Sequence, residues 1–232
     1  MSSLIGVGLY SIPEASAITG IPTRKIRRWL FGYESGNKVK QPPLWHSDVA
    51  TTLEETISFQ DLLEIRFVHA FRDYGVPLPA IRVAAEHARE FFHQPYPFTC
   101  KRFQTDGQSI FATVEEETGD EGLVDLVKKQ NVFKKIIKPS LYSGIEYDQG
   151  DNNALRWFPV KNSRKVVLDP NRSFGKPIVT DNGIRTETLY QSWLAEEQDH
   201  KMVAALYDVD VAAVNSAILF EQRIATVNEV HP

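Results

Sequence analysis

Tyr10–Trp29, YSIPEASAITGIPTRKIRRW, reads as two short helices joined by a tight turn. Ser11 stands where an N-cap hydroxyl is needed, Glu14 lies three residues on to complete a capping box, and Pro13 is tolerated in the first turn. Ala15, Ala17 and Ile18 give this helix a small apolar face. Thr19-Gly20-Ile21 supplies the break, because glycine adopts a positive φ that other residues resist. Pro22-Thr23 opens a second helix in which Ile26, Trp29 and Leu30 fall at i, i+3 and i+4, on one side. Arg24, Lys25, Arg27 and Arg28 take the remaining directions and cannot all be buried. This is the sequence form of a helix-turn-helix whose second helix is free to lie against DNA.

Charge separates this reading from that of an ordinary amphipathic helix with a solvated basic face. Residues 21–40 carry six Lys or Arg (Arg24, Lys25, Arg27, Arg28, Lys38, Lys40) against the single acid Glu34, a local excess of +5 in a chain of net charge −4. An excess of positive charge concentrated in one segment is the footprint of a surface that docks on phosphate; the acidic whole counts against non-specific coating of nucleic acid. Phe31–Glu34 and Pro43–His46 are expected to pair as short strands across the polar turn Ser35-Gly36-Asn37-Lys38, a wing whose prolines Pro42 and Pro43 keep the return strand at a sheet edge. The candidate DNA-binding residues are therefore Thr23, Arg24, Lys25, Arg27, Arg28, Lys38 and Lys40. Arg24, Arg27 and Arg28 suit base edges, since arginine bridges guanine O6 and N7; Lys25, Lys38 and Lys40 suit phosphate.

Two longer apolar patterns follow. Ser58 with Asp61 opens a helix carrying Leu62, Leu63, Ile65, Phe67, Val68 and Phe71 and ending at Gly75; Pro77-Leu78-Pro79 turns into another with Ile81, Val83, Ala84, Ala88, Phe91 and Phe92. Between Tyr96 and Leu168 the signals change. FTCKRFQT and SIFATVEE flank Asp106-Gly107-Gln108, a hairpin turn signal, which places Cys100 in a strand. The carboxylates Glu115, Glu116, Glu117, Asp120 and Glu121 read as solvated surface. Leu123, Val124, Leu126 and Val127 suggest a helix with Lys128, Lys129, Lys134, Lys135 and Lys138 around its end, and Leu155–Val160 and Lys165–Leu168 two further strands. From Asp169 the chain is helical again. Thr186 is placed as the cap of a helix with Leu189, Tyr190, Trp193 and Leu194; a second carries Met202, Val203, Ala205 and Leu206 and stops near Asp208; a third starts near Asp210. From Glu187 to the end there are eight acids and only Lys201 and Arg223 as bases, so this surface would repel phosphate and suits a protein partner or dimerisation.

The run TGIPTRKIRRW, followed by Gly32-Tyr33 and then PPLW, resembles the winged helix-turn-helix at the N-terminus of certain VapB-type antitoxins, a relative of the MerR-like DNA-binding domain. LDPNRSFGKPIV, GIRTETL and VAALYDVDVAAVNSAILFE are similar to a small helical domain that recurs in the same antitoxins. The two matches cover roughly half of the chain, one at each end. The resemblance implies a helix pair behind the wing, and with it the expected α+β organisation. A winged helix-turn-helix domain spans residues 1–95, a mixed α/β region with a β-hairpin 96–168, and a C-terminal three-helix, helix-turn-helix-like domain 169–232. It also implies a function: an antitoxin that represses its own operon at operator DNA, as a homodimer, and neutralises a PIN-domain ribonuclease toxin. Arg172, Arg185 and Arg223 are the cations that could reach such a toxin's acidic metal site.

Other classes find little support. The six histidines show no HExxH or other ligand spacing, there is no GxSxG elbow, P-loop or GxGxxG after a strand, and Cys100 has no nearby base, so neither catalysis nor a cofactor is expected. One cysteine excludes an intrachain disulfide. MSSLIGVGLY lacks the basic start and apolar run of a signal peptide, and no stretch approaches the roughly 20 apolar residues of a membrane span, so a cytoplasmic protein is expected. Two rivals stay open: a MerR-like effector-sensing regulator with a pocket lined by Phe98, Phe103, Phe111 and Trp157, and a protein adaptor that does not bind DNA.

Overall fold

Strand β1 (Leu9–Ser11) leads directly into helix α1 (Ile12–Thr19). The Ser11 hydroxyl accepts from the Glu14 amide, and the Glu14 carboxylate accepts from the Ser11 amide at 2.8 Å, the expected capping box. Gly20 closes α1 at φ 75° with its N–H on the Ser16 carbonyl, and helix α2 (Thr23–Phe31) begins after Pro22. In this computed structural model the described residues are 6–34, 40–47, 49, 55–118, 139–150 and 153–230. Strands β2 (Tyr33–Glu34) and β3 (Lys40–Gln41) form a hairpin after α2, and β4 (Thr56–Ser58) returns antiparallel to β1 with Ile57 opposite Tyr10.

Ser58 and Asp61 make a second capping box at the start of α3 (Phe59–Asp73), and α4 (Leu78–Phe92) follows with Pro77 before it. Phe59, Leu62, Leu63, Phe67, Val68 and Phe71 of α3 and Ile81, Ala84 and Ala88 of α4 are buried in one core with Tyr10, Ile12, Ile26 and Trp29. Burial of so many large side chains, each stabilising by about 1.5–3 kcal/mol, is what holds the short helix-turn-helix elements in place.

The expected hairpin about Asp106-Gly107 does not form; the segment is helix α5 (Phe103–Thr118). Phe103, Gly107, Ile110, Phe111 and Val114 fall at i, i+4, i+7, i+8 and i+11, and all are buried, so the helical period overrides the local turn signal. Cys100 accordingly lies in the bend before α5, buried, and not in a strand. Phe71, Phe98, Phe103 and Phe111 pack edge to face, with centroids 5.1 Å apart for Phe71–Phe98 and Phe98–Phe103 and 5.2 Å for Phe71–Phe111. The side chains of Glu115, Glu116 and Glu117 lie outside the described residues, as do Asp120, Glu121, the helix expected at Leu123–Val127 and the lysines from Lys128 to Lys138.

Beyond α6 (Pro139–Tyr142), strand β5 (Ile145–Tyr147) pairs antiparallel with β6 (Ala154–Trp157), which touches Leu168 through a bridge at Trp157. Strand β7 (Val166–Val167) pairs with β8 (Ile178–Val179). The two strands expected near Leu155 and Lys165 are thus present, and β5 and β8 are their partners. Trp157 and Leu168 belong to the same core as Tyr10.

The C-terminal helices are α7 (Thr186–Ala195), α8 (His200–Tyr207) and α9 (Val211–Val230), packed on a second core of Val179, Leu189, Trp193, Val203, Val214, Ala217 and Ile218. Thr186 is not the cap expected of it. It is the first helical residue, and its hydroxyl is drawn instead to the Glu221 carboxylate on α9. Asp208, in the left-handed conformation at φ 52°, ends α8, and α9 leaves at 112° to it. Helix α9 also packs on α1, the Tyr10 hydroxyl donates to the Gly175 carbonyl at 2.6 Å, and Lys176 pairs with Glu14. The helix-turn-helix is therefore braced from behind by the C-terminal unit.

Candidate nucleic-acid interface

Helix α2 is buried on one side only. Ile26, Trp29 and Leu30 lie in the core, while Arg24, Lys25 and Arg28 are exposed and Thr23 is half-buried. Among the described residues Arg24 and Lys25 take part in no ion pair. Arg27 turns to one flank, where Nε and Nη2 donate to the Glu55 carboxylate at 2.8 and 3.0 Å. These hydrogen bonds hold the Glu55 carboxyl below its ordinary range. Both side chains are open to water, at 43% and 59% exposure, so the pair is screened and can be exchanged for another partner. The Arg28 guanidinium carbon lies over the Tyr33 ring, 3.6 Å from its centroid, a cation–π contact that holds the side chain beside the hairpin.

The hairpin beside α2 is shorter than expected. Tyr33 pairs with Gln41 and Glu34 with Lys40; the return strand is Lys40–Gln41, not Pro43–His46. Pro42 and Pro43 have no N–H for the ladder, and Leu44 and Trp45 are drawn into the core at 3% and 4% exposure. Lys40 is exposed on the hairpin; Lys38 and the turn lie outside the described residues. Gly32 joins α2 to the hairpin at φ 77°, ψ −174°, and a Cβ there would stand 2.3 Å from the Gln41 carbonyl oxygen, so no side chain fits.

The chain leaving the hairpin is held from three sides. The Leu44 amide donates to the Trp29 carbonyl at 2.8 Å. Arg82 on α4 donates to the carbonyls of Pro43 and Pro42, and Arg89 to that of Leu44 at 3.3 Å. Asp61 accepts from Trp45 Nε1 at 2.7 Å, from the Ser47 hydroxyl at 2.5 Å and from the Ser58 amide at 2.9 Å. Sequence reading found Asp61 only as a helix cap; that its second oxygen would face Trp45 depends on tertiary packing with no local signal.

Three further residues at the interface escaped the sequence reading: Tyr33 under Arg28, Glu55 beside Arg27, and Arg72. Arg72, at the end of α3, lines a cleft of about 200 Å³ together with Lys25, Arg28, Trp29, Asp73 and Leu78. In the C-terminal unit Arg172 is tied to the Thr180 carbonyl at 2.9 Å, while Arg185 and Arg223 are at the surface. Phe98, Phe103 and Phe111 fill one another's contacts in the core, and Trp157 lies under the Arg66 guanidinium at 3.9 Å, so these four do not line a common pocket. Among the described residues no group of three or more His, Cys, Asp or Glu could hold a metal ion, and no single helix is long and apolar enough to cross a membrane.

A tight-turn helix pair presenting an exposed cationic helix, with a short hairpin beside it, defines a DNA-binding helix-turn-helix module. Residues 8–85 match the family described as "Putative DNA-binding HTH domain". Over longer spans the chain is similar to two Mycobacterium tuberculosis proteins. One, named "Putative antitoxin VapB45", is 26% identical over 77% of this chain and 80% of its own. The other, "Uncharacterized protein Rv2308", is 23% identical over 96% of this chain and 94% of its own. The crystal structure of Rv2018 from the same organism superposes with a TM-score of 0.69 at 25% identity, covering 92% of this chain and 99% of that one. The resemblance to VapB-type antitoxins read at the two ends of the sequence is borne out, and the α+β class with it.

Proposed function

We propose that the protein is the antitoxin and transcriptional autorepressor of a type II toxin–antitoxin operon. It occupies operator DNA through α2 and holds a PIN-domain ribonuclease toxin through its C-terminal half. It acts by binding, with no catalytic step, in the cytoplasm. The observation that carries the DNA half is the outward presentation of Arg24, Lys25 and Arg28 on a helix whose opposite side is locked into the core by Ile26, Trp29 and Leu30. In a homodimer two copies of α2 enter successive major grooves about one helical turn apart on a near-palindromic operator. Arg24 and Arg27 are assigned to base edges; Lys25, Lys38 and Lys40, together with Arg28 over the Tyr33 ring, are assigned to phosphate. The toxin half is supported by the name of the Mycobacterium tuberculosis relative and by charge: eight acids against two bases from Glu187 onward suit a protein partner and repel DNA.

The test separates the two halves. The triple variant Arg24→Ala, Arg27→Ala, Arg28→Ala is expected to lose the DNA upstream of its own reading frame yet still protect cells from the toxin encoded beside it. Loss of toxin protection with operator binding intact would point instead to an adaptor whose basic helix meets an acidic protein.

A further inference from the structure

Lys25 and Arg28 sit one helical turn apart on α2, and Arg72 reaches the same cleft from the last turn of α3. Three elements therefore meet there, because Leu78, the first residue of α4, forms the remaining wall. No side chain caps α4, so its electropositive start lies at the cleft edge. The one carboxylate in the lining, Asp73, has an oxygen 3.2 Å from His69 Nδ1 with no hydrogen bond between them, so the lining carries three cations and one anion. Burial lowers the His69 pKa from its ordinary value, against the pull of Asp73 and with a smaller push from Lys25. Three fixed cations thus face one anionic group across about 200 Å³, a volume that suits a single phosphate group. Arg28 is oriented by the Tyr33 ring, and one nitrogen of Arg72, Nη1, is held by the Val76 carbonyl, which leaves its other donors to turn into the cleft.

Resting on the DNA-binding reading above, we propose that this cleft is a seat for one backbone phosphodiester of the bound duplex, clasped by Lys25, Arg28 and Arg72. Arg72 is then a DNA-contacting residue outside the helix-turn-helix and the wing. It fixes the distance between the phosphate and α2, so the depth of α2 in the groove is set by α3. A phosphate contact carries no sequence information and affects all duplexes alike.

Arg72→Gln keeps a donor for the Val76 carbonyl while removing the charge, and Arg72→Lys keeps the charge. Binding of each full-length variant is measured by fluorescence anisotropy against the upstream operator fragment and a random duplex, over a salt series. Arg72→Gln is expected to weaken both duplexes by a similar factor, about three- to tenfold near 0.1 M salt, and to make the log–log salt slope shallower by about one per subunit. Arg72→Lys is expected to stay within about twofold of the parent with its slope preserved. Parent-like affinity and slope in Arg72→Gln overturn the seat while leaving the DNA-binding reading intact; a parent protein that binds neither duplex overturns that reading itself. Inorganic phosphate serves as the control probe. If it changes tryptophan fluorescence in an Arg72-dependent way while Arg72→Gln still binds both duplexes as the parent does, the cleft is a small-anion site and the DNA assignment falls.

Discussion

Arg27 and Arg28 are neighbours of identical chemistry with different occupations. Arg28 lies over the Tyr33 ring and faces the phosphate-sized cleft, whereas Arg27 leans away to Glu55. Replacing Glu55 by glutamine removes a negative charge from beside α2 and releases Arg27. Operator affinity is expected to rise a few-fold, with a steeper salt slope; unchanged or weaker binding in a titration would mean that Arg27 does not approach the duplex. A second residue far from DNA governs pH behaviour. Glu64 is buried, with its carboxylate accepting from the Phe98 amide at 3.1 Å and from the Thr99 amide and hydroxyl at 3.0 and 3.1 Å. Burial outweighs these donors and pushes its pKa from 4.5 up to about 7. The folded protein then holds a proton that the unfolded chain has released, so the Glu64 contribution is complete below pH 4.5 and is lost as pH rises towards 7. Urea denaturation across this window should show stability falling by about 3 kcal/mol, and Glu64→Gln should flatten the decline. An identical slope in the variant would assign the effect to another group.

Elements differ in how plainly the sequence announces them. Both capping boxes, Ser11–Glu14 and Ser58–Asp61, are local patterns whose partners lie within one turn, and both form where the residues stand. The region around Asp106-Gly107 was misread because a two-residue turn signal is weaker than an apolar period running from Phe103 to Val114, which buries a whole helix face. The return strand of the hairpin was misplaced for a different reason. The competition for Leu44 and Trp45 is won by Asp61, Arg82 and Arg89, on helices distant in sequence. Gly32 controls the geometry of this element. Its φ/ψ belongs to a region open essentially to glycine, and the approach to the Gln41 carbonyl admits no Cβ. Gly32→Ala is expected to cost about 1–3 kcal/mol in stability and to weaken operator binding about tenfold or more as the hairpin moves off α2. Thermal melts and anisotropy together check this. A variant with parent-like melting and affinity would show that the hairpin does not help to position α2 on DNA.

At the scale of the whole molecule, charge segregation was the most legible property: the basic segment lies on α2 and its hairpin, and the acidic segment lies on the C-terminal helices. What sequence could not convey is that α9 packs against α1, so that the acidic unit supports the DNA-facing one from behind. Nor could it bring Arg72 beside Lys25 and Arg28, since that proximity requires α3 to be drawn under α2 by the β1–β4 pairing and the common core. The cationic face is thus built by the entire N-terminal fold, although its charges cluster in a few consecutive residues. The most direct measurement is equilibrium binding of the intact protein to its own upstream DNA at a series of salt concentrations. If a dimer neutralises about eight phosphates through these cations, log affinity should fall against log salt with a slope of roughly −7, and a random duplex should bind with a similar slope at much lower affinity. Affinity independent of salt, or no difference between the upstream fragment and a random duplex, would contradict operator recognition by α2.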